Sequence, residues 1–183
     1  MRIIKLGGSL LTGGQLSACL DRILGLNGIN IITPGGGEFA DAVRIAQQQH
    51  GFDDAAAHDM ALLAMQQMAL LMRALRPALR PWPHAARPPE TPGAYVWSPN
   101  PEELAQAGVP AGWHITSDSL AAWLCARYNA EQLIVVKSAT VAPEAGAAEW
   151  QAQGVLDAAF HDFAKLLRCP IEVVNYRDFL NHD

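Results

Sequence analysis

Lys5-Leu6-Gly7-Gly8-Ser9 and Ile31-Ile32-Thr33-Pro34-Gly35-Gly36-Gly37-Glu38 follow one pattern: an apolar run, then glycines, then a helical periodicity. The apolar runs, residues 2–6 (RIIKL) and 29–33 (INIIT), are too short for helices and rich in β-branched residues. They read as buried parallel strands. Residues 15–25 carry Leu16, Cys19, Leu20, Ile23 and Leu24 near helical spacing, and residues 38–49 read as a second helix. Strand, glycine turn and helix thus occur twice within about fifty residues. That alternation predicts an α/β protein, a three-layer αβα sandwich with a mainly parallel central sheet.

Working outward, residues 54–75 are the longest helical candidate. They are apolar nearly all round, which predicts a well-buried helix with Met65, Met68 and Met72 in the core alongside Met60. Six prolines between 77 and 93 exclude a helix or a central strand there and predict a loop. The pattern then restarts. A strand is expected at 94–97, a short helix at 101–107 with Pro101 in its first turn, an extended piece at 113–116 and a helix at about 118–128 capped by Thr116 or Ser117. Residues 132–137 (QLIVVK) are the clearest strand, 139–153 have little internal pattern, and 155–168, 171–175 and 176–180 read as helix, strand and short helix.

A chain of 183 residues is one domain by length. Its net charge of −5 with interspersed signs argues against a nucleic-acid or membrane surface. No signal-peptide pattern opens the sequence and no apolar stretch reaches spanning length, so a cytoplasmic protein is expected. Cys19, Cys125 and Cys169 are widely spaced and read as reduced thiols. Positive charge is written as ten Arg and only three Lys, at positions 5, 137 and 165. Lysine at a strand end supplies a compact point charge that guanidinium does not replace.

The chemistry lies in the loops. Lys5, at the carboxyl end of a strand, projects into the crevice where open α/β sheets bind ligands. Gly7 and Gly8 let the backbone bring its N–H groups to an anion, and Ser9 adds a hydroxyl; the Walker A pattern is absent. After Gly35-Gly36-Gly37 a helix starts near Glu38, and its N-terminal amides and dipole face the same crevice. An ordinary strand-to-helix turn is the competing reading of each loop alone.

Together, KLGGS and ITPGGGE resemble, in order and spacing, the two opening motifs of the amino acid kinase family, the aspartate, glutamate and uridylate kinase superfamily. Ile115-Thr116-Ser117-Asp118-Ser119-Leu120-Ala121-Ala122 and then Gln132–Lys137 look like its later segment of acidic residue, helix and nucleotide-side strand. The resemblance implies ATP with Mg²⁺ as phosphoryl donor and a small-molecule phosphate acceptor. It implies Lys5, Asp118 and Lys137 as catalytic residues, Gly7, Gly8, Ser9, Gly35, Gly36 and Gly37 as phosphate-binding, and a homo-oligomer. It divides the single domain into an acceptor and phosphate-binding half (1–76), the proline-rich loop (77–93) and a nucleotide-side half (94–183). Asp118 could instead be a plain helix N-terminal acid, and Lys137 a solvated strand end.

Within the family, the chain is similar to the small kinases of methanofuran-type cofactor synthesis that act on (5-(aminomethyl)furan-3-yl)methyl phosphate. The carriers of that likeness are the short length, the WHITSD stretch from Trp113 to Asp118, and Asp54-Ala55-Ala56-Ala57-His58-Asp59-Met60-Ala61. An aminomethyl acceptor would suit Glu38, Asp54 or Asp59, with His58 as a hydrogen-bonding partner; a helix histidine satisfied locally is the alternative for His58. A non-catalytic anion or nucleotide binder, or a structural subunit, of the same fold would carry the same loops.

Overall fold

Apolar runs bounded by glycine, proline or asparagine become the strands. In a computed structural model of the chain, which describes residues 1–83, 87–142 and 145–181, these are β1 (Arg2–Leu6), β2 (Ile29–Pro34), β3 (Arg80–Pro83), β4 (Gly93–Ser98), β5 (Gln132–Lys137) and β6 (Ile171–Asn175). They form one sheet in the order β3-β4-β2-β1-β5-β6, with every pairing parallel. Helices cover both faces, as a parallel sheet requires. They are α1 (Gln15–Leu24), α2 (Gly37–His50), α3 (Asp54–Leu75), α4 (Pro101–Gln106), α5 (Ser117–Arg127), α6 (Ala147–Ala152), α7 (Phe160–Ala164) and α8 (Tyr176–Asn181).

Strand alternation divides the core in two. Ile3, Ile31, Leu133 and Val135 pack with Leu120 and Leu124 of α5, Phe160 of α7 and Trp97. Ile4, Leu6, Ile32 and Val136 face the other way, onto Leu16, Leu20 and Ile23 of α1 and Phe179 of α8. The chain leaves β1 for β2 on one side and later returns to β5 on the other. The strand order therefore reverses beside β1, and the ligand crevice of such a sheet lies at the carboxyl ends of β1, β2 and β5.

Several local expectations are corrected. The proline-rich segment is not all loop, because Arg80–Pro83 pairs with β4 as an edge strand. Pro81 and Pro83 are tolerated there because an edge strand bonds a neighbour on one side only. Residues 113–115 form a turn and bend rather than an extended piece, and only Thr116 is extended. The helix expected at 155–168 shrinks to α7, while α6 lies in the stretch that showed no pattern. Gly154, at φ +70°, turns the chain between them. Residues 84–86 of the proline-rich loop and 143 and 144 of the patternless stretch lie outside the described residues.

The expectation of an all-round buried α3 is also corrected. Met65, Met68 and Met72 are buried, but Met60, Leu63 and Leu70 stand 39%, 47% and 62% exposed on the opposite face. The three cysteines are free, with the Cys125 and Cys169 sulfurs 3.4 Å apart.

Candidate active site

The two glycine turns touch. The Gly35 amide donates to the Leu6 carbonyl (2.8 Å) and the Gly7 amide to the Val136 carbonyl (3.3 Å), tying the turns after β1 and β2 to each other and to β5. A β-carbon on Gly8 would come within 2.3 Å of the Gly37 nitrogen, and one on Gly35 within 2.5 Å of the Gly8 nitrogen. The glycines are thus required by backbone against backbone. Gly37 adds a left-handed φ of +55°. Helix α2 starts here with Gly36 as its N-cap and no side chain bonded to its first amides. Its orphan N–H groups, and their share of the helix dipole, are therefore available to an anion.

Strand alternation sets the charges. Lys5 pairs in register with Val135, and Lys137 lies two residues further along β5, so both lysines project on the face covered by α5. Asp118 is the second residue of α5 and stands between them. Its Oδ1 is 2.8 Å from Lys5 Nζ, and its Oδ2 accepts from Lys137 Nζ at 2.7 Å. The three side chains are 6%, 5% and 15% exposed for Lys5, Asp118 and Lys137. Lys137 is therefore not a solvated strand end, and Asp118 is more than a helix N-terminal acid.

Burial pushes the Asp118 carboxyl up, but Lys5 and Lys137 outweigh it and hold it below its ordinary value. Burial, then the Lys5 charge, pushes Lys137 down to about 8, against the opposing pull of Asp118. One carboxylate shared by two ammonium groups leaves a positive charge at the mouth of the glycine turns. A buried charge of this kind is costly unless paired, so the arrangement suits a bound anion.

Asp157 went unnoticed in the sequence. Its Oδ2 accepts from the Thr116 amide (2.9 Å), the Thr116 hydroxyl (2.7 Å) and the Ser119 amide (3.0 Å), and its Oδ1 accepts from the Ser119 hydroxyl. Helix α5 has no side-chain cap of its own; a carboxylate 38 residues downstream of Ser119 supplies it. Nothing local signals such a pairing.

A cavity of about 370 Å³ opens beside the glycine turns, between α2, α3 and the 113–117 segment. Of the acceptor residues expected from sequence, Glu38 and His58 line it, while Asp54 and Asp59 do not. Asp54 instead accepts from the Gln47 side-chain amide (2.8 Å), and Gln47 Oε1 accepts from Trp113 Nε1 (2.7 Å), so Asp54 braces the cavity wall indirectly. Asp59 is exposed. Arg44 and Trp113 were missed as wall residues; the guanidinium sits 4.3 Å from the indole ring centre. Ser9 also lines the cavity, its hydroxyl 2.8 Å from that of Ser138 after β5. The Asn175 amide donates to the Ser138 (3.1 Å) and Ala139 (2.8 Å) carbonyls and fixes that turn.

The donor set fits a polyphosphate: backbone amides in turns where a β-carbon at position 8, 35, 36 or 37 would collide with a neighbour, and two lysines. Among the described residues, no group of three or more His, Cys, Asp or Glu side chains is placed to hold a metal ion, and no helix is long and apolar enough to cross a membrane.

No protein-family model matches the chain, and no curated protein matches its sequence. Solved structures do match its fold. A uridylate kinase from Archaeoglobus fulgidus superposes with a TM-score of 0.71 at 14% identity, covering 98% of this chain and 93% of that one. A UMP kinase from Bacillus anthracis gives 0.68 at 16% identity over 96% and 87%. An aspartate kinase from Synechocystis gives 0.70 at 15% identity, with 96% of this chain matching 38% of that longer one. The all-parallel sheet with helices on both faces is therefore the amino acid kinase fold.

Proposed function

We propose that the chain is an ATP-dependent phosphotransferase that phosphorylates a small metabolite. The observation that carries this reading is the buried Lys5–Asp118–Lys137 bridge at the mouth of two interlocked glycine turns. Phosphoryl transfer asks little covalent chemistry of a protein and much positioning and charge stabilisation. In this reading Lys5 stabilises the transferring group, and Lys137 neutralises donor phosphates. Asp118 keeps both ammonium groups aimed at the crevice. The amides of Gly8, Gly36 and Gly37, with the N-terminus of α2, hold phosphate oxygens, while the Gly7 and Gly35 amides tie the two turns together and Ser9 adds a hydroxyl. Mg-ATP would be held by this set, supplying the phosphoryl group and, through Mg²⁺, further charge neutralisation. Kinases of the same fold support the reading.

For the acceptor, the reading is (5-(aminomethyl)furan-3-yl)methyl phosphate, converted to its diphosphate in methanofuran-type cofactor synthesis. It is supported by Trp113, Ile115, Thr116 and Ser117 of the WHITSD segment, and by Glu38, lining the cavity. The test is ³¹P NMR of the protein with Mg-ATP and this phosphomonoester. New diphosphate signals that vanish in Lys5→Ala, with the fold retained, are expected. Intact ATP and monoester after long incubation of a folded protein would refute the reading. A non-catalytic anion or nucleotide binder is the second reading, favoured by Ser138-Ala139-Thr140-Val141-Ala142, a turn without one charged side chain on the nucleotide side. The same experiment separates the two. The homo-oligomer belongs to the proposal as well, supported by the exposed apolar face of α3.

A further inference from the structure

His58 is 5% exposed, sits on α3 and lines the cavity. Its Nδ1 lies 3.3 Å from the Gly112 carbonyl oxygen. A carbonyl oxygen only accepts, so Nδ1 carries the proton of this bond. The carbonyl is held in place. Gly112 has φ +147°, where side chains are strained, and a β-carbon there would meet His114 Nδ1 at 2.7 Å. The same oxygen also accepts from the Ile115 amide at 3.1 Å. Burial lowers the imidazole's proton affinity, with His114 acting the same way and the Gly112 bond and Asp59 opposing. The ring is thus neutral at pH 7 and bears one proton.

With that proton on Nδ1, Nε2 is a bare lone pair. It makes no hydrogen bond among the described residues. His58 forms part of the cavity wall, so a donor on a molecule bound there would complete the hydrogen bonding of the ring. We infer that His58 is a specificity residue whose Nε2 accepts a hydrogen bond from an N–H or O–H donor on the molecule bound in the cavity. The inference rests on the reading of this cavity as the acceptor site. Leu62, Met65 and Trp113 supply apolar wall for the body of such a molecule. Glu38 and Asp41 add carboxylates, and among the described lining residues the one cationic side chain is Arg44, itself 3.1 Å from Asp41. Among donors, the Glu38 carboxylate on this wall favours a primary ammonium over a neutral hydroxyl.

The test uses the full chain, ¹⁵N-labelled at histidine, with two probes of similar size. Benzylamine brings an ammonium donor, and anisole offers only an acceptor oxygen. Long-range ¹H–¹⁵N spectra should show His58 protonated at Nδ1 and bare at Nε2. Benzylamine should shift the Nε2 signal saturably, and anisole should not. Asn at position 58 keeps a donor near the Nδ1 position and loses the distal acceptor, whereas Gln can place its carbonyl oxygen near the Nε2 position. His58→Asn should weaken benzylamine about tenfold and His58→Gln should largely restore it. A proton on Nε2, equal binding of both probes, unchanged affinity in folded His58→Asn, or no response up to about 10 mM benzylamine would each overturn the inference. Phosphoryl transfer is measured separately. Benzylamine bound through His58 without any transfer from ATP would defeat the kinase reading alone. Transfer indifferent to His58→Asn would defeat this inference alone.

Discussion

Replacing Asp157 by alanine removes a cap that no other side chain among the described residues supplies. Four donors lose their acceptor: the Thr116 and Ser119 amides and both hydroxyls. The hydroxyls can rotate toward water, but the amides are held by the first turn of α5. Loss of an ordinary helix N-cap costs about 0.5–2 kcal/mol, and hydrogen bonds to a charged group contribute about 1.5–3 kcal/mol each. Allowing for water reaching the half-buried site, the expected loss is about 2–4 kcal/mol. With a urea slope near 2 kcal/mol/M for a chain of this size, the unfolding midpoint should fall by about 1–2 M. Asp118 is the second residue of the same turn, so turnover should fall further than stability alone explains. A displacement of about 1 Å at such a site costs on the order of 10² in rate. Asp162→Ala, which removes an exposed carboxylate bonded to Lys165, is the control and should leave midpoint and turnover unchanged. A shift below about 0.25 M for Asp157→Ala, with turnover intact, would refute the claim that this carboxylate holds α5.

Other substitutions test other parts of the account. Gly8→Ala should push the two glycine turns apart, because its β-carbon would overlap Gly37; nucleotide affinity measured by calorimetry should drop by about tenfold or more. Lys137 has its folded value pushed down to about 8 from 10.5, so kcat/KM should fall as pH rises through about 8, and Lys137→Arg should remove that limb. Stability should move the opposite way. Between about 8 and 10.5 the unfolded chain binds more protons at this lysine, so wild type should gain stability relative to Lys137→Met across that window in pH-dependent denaturation. Asp118 contributes above its ordinary 3.8, and its contribution should be lost as pH falls through its depressed folded value. On α3, Leu63→Asp with Leu70→Asp should turn an oligomer into a monomer in analytical ultracentrifugation without lowering the melting temperature, since both side chains stand in solvent in the single chain.

The sheet was legible because its strands are buried on both faces and read as unbroken apolar runs, RIIKL, INIIT and QLIVVK. The glycine turns were legible because three consecutive glycines have few uses other than close backbone approach. Asp118 and Lys137 could be named from a resemblance, but only the β1–β5 register shows why they meet Lys5: alternation turns both lysines toward α5. What stayed hidden depended on distant pairings. Arg80–Pro83 reads as loop until β4 is there to pair with it. Asp157 looks like part of a helix until its carboxylate is seen on α5. Trp113 and Arg44 make a cavity wall because α2 and the 113–117 segment face each other, and no periodicity encodes that. The expectation of a buried α3 failed because apolar composition does not say which face meets the core.

The central claim is that Lys5, Asp118 and Lys137 form a nucleotide phosphate site rather than a structural ion bridge. Calorimetric titration of the folded protein with ATP, with and without Mg²⁺, tests it most directly. The account predicts saturable binding at one site per chain that is lost in Lys5→Ala and Lys137→Ala while both variants keep the wild-type circular dichroism spectrum. Absence of binding to the folded wild-type chain, or equal binding by both lysine variants, would contradict it.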